Sequence, residues 1–312
     1  MSLITRLSKF FSKPESKRQL GVSIGPSSLT LCYLDENNET SYQEAALDAN
    51  QNLGDNAAIK NVTDGLTALL TKNSISGNCH VVLSPAYYKI VQVEKPNVPV
   101  DEMIGALKWQ VNDLVTIAID DLIIDYFDAP VFSAANPKVN VICASKRFLT
   151  LLMASINQEG IKLSTISTEE FAFISLVPKQ ESPILLVCQQ LNAEAVLLIV
   201  KKGQLYFYRR LRGFTQLSQQ SEQELAMGAT ESLSLEIQRS IDHFERQLKQ
   251  SPIKLIQVIV PSAHEQYLVD KLAENTDIPV QLLALPEQNQ GQRKHAVAIG
   301  AGLLEALEQS NE

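Results

Sequence analysis

Asp120, Asp121, Asp125 and Asp128 crowd into nine residues, a carboxylate density that could hold a divalent cation. Leu122, Ile123 and Ile124 interrupt the group, so it reads better as a strand with solvated ends and a charge-protected edge. His80, His243, His264 and His295 are dispersed and lack metal-ligand spacing. His243 falls on the polar side of a helical stripe, where a solvated histidine is the ordinary outcome. Cys32, Cys79, Cys143 and Cys188 form no CxxC pair and have apolar neighbours, as reduced thiols in buried strands do. The chain contains no Walker A sequence, no HExxH and no nucleophile elbow. Tyr87-Tyr88 and Tyr206-Phe207-Tyr208 alternate as strand residues and read as packing rather than base-stacking platforms. Arg209, Arg210 and Arg212 make a local cationic cluster, open between a solvated strand end and a contact for an acidic partner.

Which elements must position such residues is bounded by size and charge. A chain of 312 residues suggests two domains, and 45% apolar with 20% charged residues is ordinary for a folded soluble protein. No apolar run approaches the ~20 residues needed to span a bilayer, and no signal-peptide pattern opens the chain, so a cytoplasmic location is expected. Net charge is −8. Arg6, Lys9, Lys13, Lys17 and Arg18 against Glu15 put residues 1–18 at +4 and leave the rest at −12, which gives the body no support for nucleic-acid binding. In this arm Leu3, Ile4, Leu7, Phe10 and Phe11 recur at helical spacing beside the cations. A basic amphipathic helix of this kind can lie on an anionic membrane surface. The competing reading is a frayed terminus whose apolar residues pack on the body.

The body carries one pattern twice. Leu20–Leu34, the polar turn Asp35–Glu39 and Thr40–Ala46 form the first copy. Ile184–Val200, Lys201-Lys202-Gly203 and Gln204–Arg210 form the second. Strand starts near 20, 29 and 40 match starts near 184, 194 and 204, which predicts two related domains, each opening with a three-stranded antiparallel meander. Helix and strand then alternate. Helices are expected around Val62–Leu70, from an Asp101 cap to Asn112, over Phe148–Glu159, Glu169–Leu176 and Glu265–Ala273, in one long stretch from Ser221 to Gln250, and over Lys294–Leu307. The stretch from Val177 to Pro183, with two prolines around a polar run, is the best hinge candidate. The organisation expected is an arm over 1–18, a first domain over 19–178 with an inserted subdomain at about 82–165, and a second domain over 179–312 whose terminal helix packs back on the first. The class is α/β, with sheets sandwiched by helices.

The sequence resembles the PilM-type pilus-assembly proteins over nearly its whole length. The likeness rests on Gly21-Val-Ser-Ile-Gly25 after a basic arm, and on Ala106-Leu-Lys-Trp-Gln110 ahead of Asp120-Asp-Leu-Ile-Ile-Asp-Tyr-Phe127. Glu236-Ile-Gln-Arg-Ser-Ile-Asp-His-Phe244 and Ala296-Val-Ala-Ile-Gly300 complete it. The resemblance implies an actin-like ATPase fold, with ribonuclease H-like duplicated domains and a small inserted subdomain, similar to the division protein FtsA. It also implies a cytoplasmic, peripheral inner-membrane scaffold that docks the N-terminal tail of a bitopic PilN-like partner, with the assembly ATPase of the pilus machine as a further partner. In that family a groove beside the inserted subdomain receives the tail. Trp109, the single tryptophan, either lines that groove or belongs to the core.

Nucleotide-binding relatives of this fold grip phosphate with the first turn of each copy, using Asp and Gly. Here the first turn reads Ser23-Ile24-Gly25 with Ser27 and Ser28 following, so the glycine remains and the carboxylate is lost. The second reads Cys188-Gln189-Gln190 and has no glycine to let backbone approach phosphate. The adenine-side loop, which carries a glycine pair in relatives, reads Pro261-Ser262-Ala263. Three altered elements point to a pseudo-ATPase with no cofactor, no metal and no catalytic residue. Two alternatives stand beside this reading. One is an ATP- and magnesium-binding actin-like protein with an unusual phosphate site, for which Asp35 or Glu194 would have to supply the carboxylate. The other is a type II secretion docking protein, whose relatives usually continue into a transmembrane helix.

Overall fold

Fully buried apolar runs dictate the centre of each half. The computed structural model describes residues 18–35, 39–48, 56–72, 75–130, 137–157 and 161–304. The amphipathic arm with Leu3, Ile4, Leu7, Phe10 and Phe11 lies outside the described residues. Two compact units emerge, residues 18–169 with 301–304, and residues 170–300.

In the first unit, β1 (Gln19–Ile24), β2 (Ser28–Leu34) and β3 (Thr40–Ala46) form the antiparallel meander. Helix α1 (Asn56–Lys72) then crosses over to β4 (Gly77–Leu83), which runs parallel to β1. The next stretch builds a second, three-stranded sheet. Its members are β5 (Tyr88–Glu94), β6 (Leu122–Asp128) and β7 (Lys138–Ser145), ordered β5-β7-β6, with α2 (Met103–Val111) against it. It has its own core of Met103, Leu107, Val111, Leu122, Ile124, Val139, Val141 and Cys143. Helix α3 (Lys146–Ile156) returns to the main sheet, where Phe148, Leu152 and Ile156 join the core of Leu29, Leu31 and Leu66. Strand β8 (Ile161–Thr168) then completes the order β3-β2-β1-β4-β8.

The second unit repeats this layout. Helix α4 (Glu169–Ser175) leads to β9 (Ile184–Cys188), β10 (Ala195–Lys201) and β11 (Gln204–Leu211). A short turn α5 (Glu222–Glu224) and the long α6 (Thr230–Asp242) cross to β12 (Ile256–Ile259). Helix α7 (Glu265–Ala273), β13 (Val280–Leu282) and α8 (Ala296–Gly302) follow. The sheet order β11-β10-β9-β12-β13 matches the first sheet strand for strand. Both have antiparallel pairs on the meander side and parallel pairs on the crossover side. Parallel neighbours need a crossover, and helices on the sheet faces supply it. Central strand β9 is buried at all five positions, as a strand covered on both faces must be.

Several expected helices end elsewhere. The stretch from Ser221 begins with a capping box, Ser221 Oγ accepting from Glu224 N–H while the Glu224 carboxylate accepts from Ser221 N–H. It breaks at Met227 and at Gly228, whose φ of 115° is open to glycine at little cost. The apolar stripe runs through the break, with Leu225, Leu233, Ile237, Ile241 and Phe244 all buried. Periodicity alone therefore missed it. Helix α2 starts at Met103, and its N-cap is Glu102, with no side-chain cap hydrogen bond, rather than Asp101. The terminal helix starts at Ala296 rather than Lys294 because residues Arg293–His295 form a 3₁₀ turn first, and its expected end at Leu307 lies outside the described residues. Gly300 accounts for the Ala-Val-Ala-Ile-Gly segment. A Cβ there would collide with the carbonyl of Ala172, so α8 meets α4 backbone to backbone. Ser175 Oγ ties the two, donating toward Ala172 O at 2.8 Å and Gly300 O at 2.7 Å.

Candidate functional site

The first turn of each meander is built from donors already in use. In the first unit Ser23 is an interior residue of β1, 2% exposed, paired with Thr30 and Val82. The Gly25 N–H donates to Ser28 O at 2.8 Å, closing the turn, and Pro26 has no N–H to offer. Ser27 O accepts from Leu47 N–H. Asp35, one of two acids that could have replaced the missing carboxylate, caps its own turn by accepting from Glu39 N–H at 3.0 Å.

In the second unit Cys188 is fully buried at the end of β9, and the Gln189 N–H donates to Ile259 O in the sheet. The Gln189 side chain then folds into the turn. Its Nε2 lies 2.9 Å from Ala193 O, 2.7 Å from Phe214 O and 3.1 Å from Thr215 O. Its Oε1 is buried without a partner among the described residues, so the amide nitrogen alone holds it. Asn192 takes the left-handed position of the turn, φ 60°, which asparagine tolerates. This turn is pinned to the loop after β11 by the Gln189 side chain.

The loop after β12 is committed in the same way. Ser262 N–H returns to Val260 O at 2.7 Å, and Ser262 Oγ accepts from His264 N–H at 3.1 Å. Val260 N–H donates to Glu265 Oε1 at 2.6 Å. Glu265 is 4% exposed and forms a two-pronged ion pair with Arg293, Nη2 reaching Oε1 at 2.7 Å and Nε reaching Oε2. Arg293 also donates to Leu283 O at 3.0 Å and Val258 O at 3.1 Å. Burial raises the Glu265 carboxyl above the ordinary carboxylate range, offset in part by Arg293 and by the Val260 N–H. Glu265, the first residue of α7, thereby ties the end of β12 to the start of the helix.

Other residues singled out from the sequence find structural employment. Asp121 accepts from Ser145 Oγ at 2.6 Å and from Arg147 N–H at 2.8 Å, stapling β6 to the start of α3. Asp128 pairs with Lys95 at 2.6 Å. No group of three or more metal-ligating residues exists among the described residues. His80 is buried with Nε2 2.8 Å from Gln19 Oε1, whereas His243 sits beside Gln247 Oε1 at 2.7 Å and His264 beside Glu222 at 3.2 Å. Burial pushes the Cys32 and Cys79 thiols up to about 12 and the Cys143 thiol to about 11, which favours the protonated thiol over the nucleophilic thiolate. The arginine cluster divides. Arg210 turns inward onto the fully buried Glu170, Arg209 pairs with Glu236 at 2.6 Å, and Arg212 is exposed. Trp109 is 73% exposed and so is not core; the buried stripe of α2 is Met103, Leu107 and Val111. The Glu265–Arg293 pair, the Glu170–Arg210 pair and the inward turn of Gln189 went unseen in the sequence, where only the absence of glycine at 188–190 gave a signal.

No protein-family profile matches the chain, and no curated protein does. Solved structures do match. A chain of the PilM–PilN type IV pilus biogenesis complex is 16% identical with a TM-score of 0.68, covering 93% of this chain and 98% of that one. A Bacteroides thetaiotaomicron protein described as having an actin-like ATPase fold and unknown function is 10% identical with a TM-score of 0.52, covering 94% and 98%. The cytoplasmic domain of EpsL, an inner-membrane component of the Vibrio cholerae type II secretion system, aligns at a TM-score of only 0.47. With the duplicated sheet order, the first two likenesses establish the actin-like ATPase fold. No described helix is long and apolar enough to cross a membrane.

Proposed function

We propose that this chain is a non-catalytic cytoplasmic scaffold of type IV pilus assembly, of the MshI kind that serves the mannose-sensitive haemagglutinin pilus. It would hold the N-terminal tail of a bitopic, PilN-like inner-membrane protein. The observation that carries the reading is the end-to-end likeness to a chain of the PilM–PilN complex, at a TM-score of 0.68 over 93% and 98% of the two chains. The non-catalytic part is supported by the turns after β1, β9 and β12, where the Gly25, Gln189, Val260 and Ser262 N–H groups serve the protein's own carbonyls and carboxylate. On this reading neither ATP nor magnesium is a resident cofactor.

The docking face proposed for the tail is the inserted sheet's helix. Trp109 projects from α2, and Gly105, one turn earlier, leaves open space beside it. Val100 and Leu114 add exposed apolar surface at the two ends of the helix, at 69% and 51% exposure. Exposed apolar side chains gathered on one short element mark an interaction site better than scattered ones do. Because Trp109 is the single tryptophan, its emission reports this face alone. Titration with the cytoplasmic N-terminal peptide of the PilN-like protein is expected to shift that emission, and Trp109→Ala should weaken binding by tenfold or more. Calorimetric binding with an unchanged emission spectrum would put the tail elsewhere.

A peripheral membrane role belongs to the same proposal. Leu3, Ile4, Leu7, Phe10 and Phe11 would enter the interface while the flanking cations add a salt-sensitive attraction to anionic lipid. At low salt the full chain should float with anionic vesicles, and a chain starting at Gln19 should float less. Equal flotation of the two would remove the arm's membrane role.

A further inference from the structure

We propose that the outer edge of the second unit's sheet is a separate docking groove, which takes an extended acidic segment of a partner protein as an added strand along β11. The inference goes beyond the pilus reading and does not depend on it.

Strand β11 ends the sheet order β11-β10-β9-β12-β13, so one side of it has no strand neighbour among the described residues. Its neighbour β10 is buried almost throughout, whereas residues 206–210 of β11 are all half-buried. A groove of about 500 Å³ follows this edge, lined by Phe207, Tyr208 and Arg209 on one side and by Arg239, Asp242 and His243 on the other. Successive residues of a strand point to opposite faces. A groove touched by three in a row therefore runs along the strand's edge and not over one face of the sheet. The helical wall repeats at three- and four-residue steps, one stripe of α6 and the turn after it. An edge beside a helix, with an open trough between them, is the geometry in which extended peptides add to sheets.

Charge selects the occupant. Arg209 and Arg239 share one carboxylate, Glu236, each at 2.6 Å. Arg246, which does not line the groove, meets the lining residue Asp242 at 3.4 Å and offsets its charge, and exposed Arg212 follows the strand's end. This surplus of cations stands out in a chain of net charge −8. A guanidinium has five N–H donors, so a shared Glu236 orients both arginines and leaves donors for further carboxylates. Phe207, its ring 5.5 Å from that of His243, gives the trough an apolar floor for the residues between the acids. A segment with acids at alternate positions and β-branched residues between them fits both features, with Asp242 guarding against anions placed deeper on the helical side.

The test uses the full chain and a fluorescein-labelled hexapeptide of alternating glutamate and valine, read by anisotropy at low salt. Saturable binding is expected, at least tenfold weaker in Arg239→Glu and in Arg209→Gln, and absent for the lysine–valine counterpart. N-methylation of alternate amides should weaken it by tenfold or more, because an added strand binds through its backbone. Circular dichroism matching the unaltered protein certifies the variants, and Arg239, on an exposed helix face, is the safer of the two. No binding at millimolar peptide, or equal binding by both variants, would overturn the proposal. So would equal binding of the N-methylated peptide. A dimer of the unaltered protein that Arg239→Glu dissociates would also overturn it, by giving the edge to a second copy of the chain.

Discussion

Replacing Arg293 by methionine is expected to cost the second unit about 3–5 kcal/mol, the range for removing one partner of a buried ion pair. The guanidinium answers both oxygens of Glu265 and two backbone carbonyls, Leu283 O and Val258 O. Its loss leaves a carboxylate that is 4% exposed with the Val260 N–H beside it, and strips those carbonyls of a donor. A domain has roughly 5–15 kcal/mol of stability in all, so the variant should sit near its folding threshold. Trp109 belongs to the first unit and will not report the change. Urea unfolding by circular dichroism, with hydrogen exchange read over β12 and α7, will.

The pH dependence of that variant identifies the cause. Glu265 already has its carboxyl raised by burial, and removing Arg293 raises it further. A carboxyl whose folded value lies above the unfolded one, about 4.3, favours folding in its protonated form. The penalty should therefore be small below about pH 4.3 and grow as pH rises through the folded value. Arg293→Met is expected to lose less stability at pH 5 than at pH 8. Adding Glu265→Leu should recover most of the loss at pH 8, because a well-packed apolar pair can replace a buried ionic one. A penalty that is the same at both pH values, or unrelieved in the double variant, would mean that Arg293 acts through packing alone.

What the sequence made legible follows from range. Alternating apolar runs declared both meanders, with starts expected near 20, 29 and 40 and near 184, 194 and 204; the strands begin at 19, 28 and 40 and at 184, 195 and 204. Strand alternation is a local signal, and turns between antiparallel neighbours are short. The break at Gly228 was invisible because the buried stripe continues through it. The ion pairs were invisible for a different reason. Glu265 reads as an ordinary acid in the first turn of a helix, and Arg293, 28 positions on, reads as part of a polar loop. Only the packing of β12, β13 and α7 brings them together. Trp109 was ambiguous because a nine-residue helix with a bulky residue next to its apolar stripe can bury or expose it equally well.

Gln189 carries the sharpest expectation about the nucleotide question. Its side chain does what a glycine turn cannot: it satisfies carbonyls of Ala193, Phe214 and Thr215 and so fixes the turn after β9 to the loop after β11. Gln189→Ala should cost about 2–4 kcal/mol, since buried acceptors lose their donor and a cavity opens. A vacant turn is not a phosphate site, however. The Gln189 N–H remains bonded to Ile259 O, the Gly25 N–H to Ser28 O, and the Val260 N–H to Glu265. Calorimetric titration with ATP and magnesium is therefore expected to give no micromolar binding for the unaltered protein, for Gln189→Gly or for Ser23→Asp. A carboxylate at position 23 would be placed within β1, at a position only 2% exposed, and would leave the turn after β9 and the loop after β12 unchanged. Micromolar affinity in the unaltered chain would sink the pseudo-ATPase reading. Affinity appearing only in Gln189→Gly would instead identify that side chain as the block.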